Sequence, residues 1–163
     1  MKQLFLLFIT MISLTANAQT HDHKLINQTL QNYLQGTSYN KQDLISSAFA
    51  QEARLLLTKK DQEIWQVSPK EFASWFKNEG QFNGRVGEIL SVDIQGDIAT
   101  AKVEVLLPEK SKRYVDMFLL KKLSTGWKVV SKTATSETAN NTGKRILFIV
   151  SNAHFHGESK LPT

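Results

Sequence analysis

The sequence predicts an α+β domain: a cone-like, strongly curved antiparallel sheet with three helices packed on its concave face. Three observations carry this. Apolar residues recur at helical spacing in 23–35, 40–49 and 68–76. From Arg85 onward the period changes to two and holds through successive strand-like runs. The hairpin 114–132, YVDMFLLKKLSTGWKVVSK, is apolar on both faces of its first arm, so both faces need a cover.

The chain begins with secretory signal features. Lys2 gives a positive start, residues 4–14 form an apolar run too short to span a bilayer, and Ala16-Asn17-Ala18 is a small-x-small cleavage site. Residues 1–18 are therefore expected to be removed and the protein exported, to the periplasm or beyond, with no membrane anchor left. No cysteine is present, which excludes disulfides, thiol catalysis and zinc–thiolate sites and suits an oxidising compartment. The 163 residues are 41% hydrophobic and 21% charged, enough for one domain with an ordinary core. The net charge of +5 comes from scattered Lys and Arg. They do not interleave with aromatics as a nucleic-acid groove requires, so no nucleic-acid partner is expected.

The first helix, 23–35, turns Leu25, Ile26, Thr29, Leu30, Tyr33 and Leu34 to one side, and Gly36 is expected to stop it. Asn40 is expected to cap a short second helix with Leu44, Ile45, Ala48 and Phe49 inward. Strands follow at 53–58 and 63–67. Ser68-Pro69-Lys70-Glu71 is a helix start with Ser68 as cap, and Phe72, Trp75 and Phe76 form that helix's inner side. In the next strand Val86, Leu90, Val92 and Ile94 are expected on one face. Gly96-Asp97 is a tight hairpin turn. Residues 98–107 return with Ala99, Ala101, Val103, Val105 and Leu107 on one face and Thr100, Lys102 and Glu104 on the other. The last hairpin sets Tyr114, Asp116, Phe118 and Leu120 against Val115, Met117 and Leu119, turning at Gly126.

This hairpin, with Tyr114, Asp116, Gly126, Trp127, Lys128 and Lys132, resembles that of the nuclear transport factor 2-like superfamily, in its SnoaL-like or lumazine-binding branch. The resemblance covers residues 23–135, and the order α-α-β-β-α-β-β-β-β is that of the family's cone. Domain boundaries are expected at 19–135, with a polar linker at 136–143. Residues 144–163 resemble the first strand and loop of a PfpI-type, class I glutamine-amidotransferase-like domain, cut off after its first element. The alternative is a strand, 146–150, docked on the cone.

The resemblance implies a cavity between helices and sheet. The expected pocket residues are Tyr33, Trp65, Phe72, Phe76, Tyr114, Asp116 and Phe118, although the same spacing also serves a plain core. Asp116 is costly to bury unless it is part of a pocket or paired with a cation such as Arg54 or Lys132. Ketosteroid isomerase relatives use a Tyr and an Asp as donors, which Tyr33 and Asp116 match, but the base belongs near Leu57, where no carboxylate stands. Two donors without a base bind a carbonyl and leave its proton in place. No catalytic residue is assigned. His21 and His23, with His154 and His156, form two His-x-His pairs that are read as solvated ends, so no metal or cofactor is expected.

The expected function is binding of a small apolar or aromatic molecule without turnover, in a homodimer joined through the outer sheet face. The alternatives are a SnoaL-type isomerase, cyclase or dehydratase using Tyr33 and Asp116, and a pure dimerisation module.

Overall fold

The computed structural model describes residues 2–138, with side chains from residue 19 onward. The expected strand 146–150 and the pair His154 and His156 lie outside the described residues. The order is α1 (Lys2–Ser38), α2 (Gln42–Ala48), β1 (Phe49–Lys59), β2 (Gln62–Val67), α3 (Pro69–Ser74), β3 (Val86–Gln95), β4 (Ile98–Leu107), a 3-10 turn at Pro108–Lys110, β5 (Lys112–Leu123) and β6 (Gly126–Thr138). The strands form one six-stranded open sheet in the order β2-β1-β6-β5-β4-β3. All neighbours are antiparallel except β1 and β6, which run parallel. The sheet is therefore mixed, not wholly antiparallel as the sequence suggested. A parallel pair needs a long crossover, and here most of the chain between β1 and β6 supplies it. Among the described residues no helix is long and apolar enough to cross a membrane.

The helix α1 covers the sheet with a continuous stripe. Asp22, Ile26, Thr29, Leu30, Tyr33, Leu34 and Thr37 are all buried, at the three- and four-residue steps of one helix face. Two polar members of the stripe tie it to the last hairpin. Trp127 Nε1 donates to Asp22 Oδ1 at 2.9 Å, and Lys122 Nζ donates to Asp22 Oδ2 at 3.0 Å. Thr29 Oγ1 donates to the Trp127 carbonyl at 2.9 Å. The hydrogen bonds from Lys122 and Trp127 hold the Asp22 carboxyl below its ordinary value of 3.8. A depressed carboxylate adds stability that is present above that ordinary value and lost as pH falls through the folded one. Replacing Asp22 with Asn is expected to cost about 1–2 kcal/mol at neutral pH, the gap from the parent closing as pH falls below the ordinary carboxyl value. Urea melts across pH check this, and a gap that stays constant with pH would remove the carboxylate from the account.

The helix ends differ from expectation at both glycine and asparagine. Gly36 lies inside α1 and does not stop it. A Cβ there would stand 2.7 Å from Ile45 Cγ1 and 2.8 Å from the Ile45 backbone nitrogen, so only glycine lets α2 approach this closely. Asn40 does not cap α2; Lys41 occupies that position without a side-chain bond. Asn40 instead takes φ of 56°, a left-handed turn residue. Ser68 caps α3 as expected, its Oγ accepting from the Glu71 N–H at 3.2 Å.

Two bulges decide which side chains face inward. In β3 the pairing shifts between Ile89 and Ser91, so Leu90 is the extra residue. Ile89 and Val92 then pack on the core while Leu90 is exposed, and the expected face of Val86, Leu90, Val92 and Ile94 is broken. A one-residue insertion flips every later side chain. In β6 the shift between Leu119 and Leu120 of its partner lets Trp127 and Val129 share the inner face with Lys132. In β5 the alternation is as expected: Asp116, Phe118 and Leu120 are buried, while Met117 and Leu119 are exposed. Glu104, on the face opposite Val103 and Val105 as expected, is fully buried there and paired with Arg113, which also bonds Glu137. The strand β6 runs to Thr138, so the expected linker loses its first three residues, 136–138, to the sheet.

Candidate functional site

At the centre of the concave face Tyr33, Asp116 and Lys132 form a closed polar cluster. The α1 stripe points Tyr33 down at the sheet, and the β5 and β6 inner faces present Asp116 and Lys132 from adjacent strands. The Tyr33 hydroxyl donates to Asp116 Oδ2 at 2.6 Å, and Lys132 Nζ donates to Asp116 Oδ1 at 2.9 Å. All three residues are buried, at 3% exposure or less. Aromatic rings wall the cluster. Phe72 stacks on Tyr33 with centroids 6.2 Å apart, and Phe118 and Phe49 meet its edges at 5.1 and 6.1 Å. The Lys132 ammonium lies within 6 Å of the rings of Tyr33, Phe72 and Phe118, a cation–π arrangement.

Burial, followed by the Asp116 charge, pushes the Tyr33 hydroxyl well above its ordinary value, so it stays a donor. Burial pulls the Lys132 amine down and the Asp116 carboxylate opposes that pull. The sequence suggests Tyr33 and Asp116 as two donors toward a ligand oxygen. The geometry corrects that role: Asp116 accepts from both neighbours, and the Tyr33 proton points at Asp116. Lys132, named beforehand as a possible cation for Asp116, is the one that reaches it; the ion pairs of Asp116 do not include Arg54.

Beside this cluster, where Tyr114 and Ala134 stand two residues along β5 and β6 from Asp116 and Lys132, lies an open cleft of about 460 Å³. Its walls are Trp65 and Trp75 on one side and Tyr114 on the other, with Leu57, Ala134 and Ser136 between. The two indoles stack at 5.1 Å and 21°, and the Lys59 ammonium sits 4.8 Å from the Trp65 ring. Trp75 follows the last turn of α3 and is 42% exposed, a large aromatic held out at a cleft mouth. The expected pocket residues thus separate. Trp65 and Tyr114 line the cleft, whereas Tyr33, Phe72, Asp116 and Phe118 form the packed cluster beside it. Phe76 packs on Phe72 at 5.3 Å and touches the cleft through neither wall. Leu57, where a catalytic base would stand, is an apolar wall.

Arg85 is the residue that sequence reasoning passed over. Its guanidinium carbon lies 5.6 Å from the Phe76 ring and 5.9 Å from the Tyr114 ring. The loop that carries it is pinned to the end of α1. Asn83 Nδ2 donates to the Thr37 carbonyl and to Asn40 Oδ1, both at 2.7 Å, and Asn83 Oδ1 accepts from the Arg85 N–H at 3.1 Å. The signal in the sequence was parity: Arg85 stands one residue before β3, in step with Gly87 and Ile89 ahead of the bulge. Among the described residues no group of three or more His, Cys, Asp or Glu is placed to hold a metal ion.

Solved structures share this fold. A nuclear transport factor 2-like protein of unknown function from Shewanella baltica OS155 superposes with a TM-score of 0.64 at 21% identity, over 72% of this chain and 95% of that one. Another from Methylobacillus flagellatus KT gives 0.62 at 25% identity, over 72% and 93%. A domain of unknown function with a cystatin-like fold from Nostoc punctiforme gives 0.56 at 18%, over 86% and 90%. A search of the curated proteins found no match. The family model described as "Putative lumazine-binding" matches residues 21–134, most of the described chain and all of the cleft but its rim at Thr135 and Ser136. The chain therefore belongs to the family described as "Putative lumazine-binding" and has the nuclear transport factor 2-like fold.

Proposed function

We infer that this is an exported binding domain that takes a small flat aromatic molecule into the cleft between Trp65, Trp75 and Tyr114, without turning it over. The observation that carries the reading is the stacked indole pair facing an open cleft of about 460 Å³, large enough for a bicyclic ring. An exposed tryptophan at a cleft mouth has area to gain by covering, and stacking on a ligand supplies it. The family's description, which mentions lumazine, makes that bicyclic heterocycle the first probe. The Tyr33–Asp116–Lys132 cluster gives the cleft a rigid flank. Export rests on Lys2, the apolar run 4–14 and Ala16-Asn17-Ala18.

Titration with lumazine, followed by indole fluorescence, is expected to saturate. Trp75→Ala is expected to weaken binding by about tenfold or more, as loss of a stacking anchor does. The ligand should be recovered unchanged after long incubation. No saturable change with lumazine or another bicyclic heterocycle would sink the cleft as a binding site.

A second copy of the chain is the expected cover for the outer sheet face, where Met117 and Leu119 of β5 are exposed. Sedimentation should show a dimer at micromolar concentration, weakened by Leu119→Lys; monomer throughout would end that part of the reading.

A further inference from the structure

One charge in the concave face is left without a counter-ion. Lys132 and Asp116 neutralise each other at 2.9 Å. Arg85 adds a further positive charge close enough to oppose the rise in the Tyr33 hydroxyl. Among the described residues Arg85 forms no ion pair, and its Nε, though buried, has no hydrogen-bond partner. A desolvated N–H without an acceptor is costly, and folded proteins leave few of them. The guanidinium is not loosely held. Phe76 and Tyr114 flank it at 5.6 and 5.9 Å, and the Asn83 bonds to Thr37, Asn40 and the Arg85 backbone fix the point from which it extends. The residue is half-buried and does not itself wall the cleft, which it meets through Tyr114. Tyr114 is common ground: its ring walls the cleft and borders Arg85.

We propose that the cleft takes an aromatic ligand bearing a carboxylate, and that Arg85 binds that carboxylate beside Tyr114 while the indoles stack on the ring. The inference rests on the cleft reading and narrows its ligand class. A planar guanidinium fork matches the two oxygens of a carboxylate, and such charge-assisted pairs are about twice as strong as neutral hydrogen bonds. The rings on either side lower the local dielectric and strengthen the pairing. Lys132 cannot take this part, because Asp116 already holds it, buried, beside the cleft.

The test uses the full chain and two probes of one shape, 2-naphthoate and 2-naphthamide, titrated by indole fluorescence at neutral pH. The carboxylate is expected to bind about tenfold tighter or more, with a preference that shrinks as salt rises. Arg85→Met is expected to make the two affinities equal. Arg85→Lys, a point charge without the fork, should keep only part of the difference. A purely structural role for Arg85 would change the melting temperature of these variants and leave the ratio of the two affinities as it was. Equal affinities in the parent protein, or a ratio that survives Arg85→Met, overturn the proposal while leaving the cleft intact. Binding of neither probe overturns it together with the cleft reading. Should Arg85→Met fail to fold, Arg85→Lys decides: a reduced ratio supports the assignment and an unchanged one ends it.

Discussion

Asp116→Leu is expected to lower stability by about 3–5 kcal/mol, the range for removing one partner of a buried ion pair. The reason is what it leaves behind. Lys132 is 3% exposed and its ammonium has Asp116 as its salt-bridge partner. The Tyr33 hydroxyl, fully buried, loses its acceptor in the same step. Asp116→Asn keeps an acceptor for Tyr33 but leaves the lysine charge uncompensated, so it should fall between parent and Asp116→Leu. Its dependence on pH has a definite sign. The Lys132 amine is already below its ordinary value of 10.5 through burial, and losing the opposing carboxylate lowers it further. The folded state then binds fewer protons than the unfolded one between the two values, so the stability of Asp116→Asn should rise with pH across that window. Tyr33 works the other way: its raised hydroxyl contributes stability that is present below 10 and lost as pH climbs through the folded value. The double variant Asp116→Leu with Lys132→Met should recover much of the loss, because replacing a whole buried pair with apolar groups is often neutral. Denaturant melts of the four proteins decide it. A loss below about 1 kcal/mol in Asp116→Leu, on the scale of a surface substitution, would show that the pair is not the keystone of the cluster.

Gly36→Ala should destabilise the domain although alanine is the better helix former. Inside a helix the exchange is worth about 1 kcal/mol in alanine's favour. Against it stands a methyl group 2.7 Å from Ile45 Cγ1, 2.8 Å from the Ile45 nitrogen and 3.1 Å from the Lys41 carbonyl oxygen. Two of those contacts are backbone, so a rotamer change cannot relieve them and α2 must move. Overpacking of this kind costs about 1–3 kcal/mol and here outweighs propensity, with Gly36→Val worse again. The displacement should also reach the cleft rim. Thr37, the next residue, supplies the carbonyl that holds Asn83, and Asn83 holds Arg85. Urea unfolding with an unchanged m-value would read the loss directly. A neutral or stabilised Gly36→Ala would mean that the two helices separate without cost.

The sequence by itself determined the element order, the fold family and most of the inner faces. A Ser68-Pro69 helix start and turns at Gly96 and Gly126 are local signals, because each arises from a residue's own conformational preference, and a period-two run is local to its own segment. It also placed Tyr33 and Asp116 on facing surfaces, since a helix stripe and a strand's alternation fix direction without knowledge of the partner. What it could not determine was set by pairing between distant segments. The Leu90 bulge depends on how β3 meets β4, and it reversed half of a face that alternation alone made continuous. Gly36 looked like a helix stop because glycine usually is one; only the approach of α2 makes it an interior necessity. Asp116 was equally consistent with a ligand donor or an ion pair, because the choice belongs to Lys132 on the neighbouring strand. Arg85 carried no motif at all. Its place between two rings, with an unpaired buried nitrogen, exists only once α1, α3 and β5 have come together, since the energy of a buried polar group is fixed by what surrounds it.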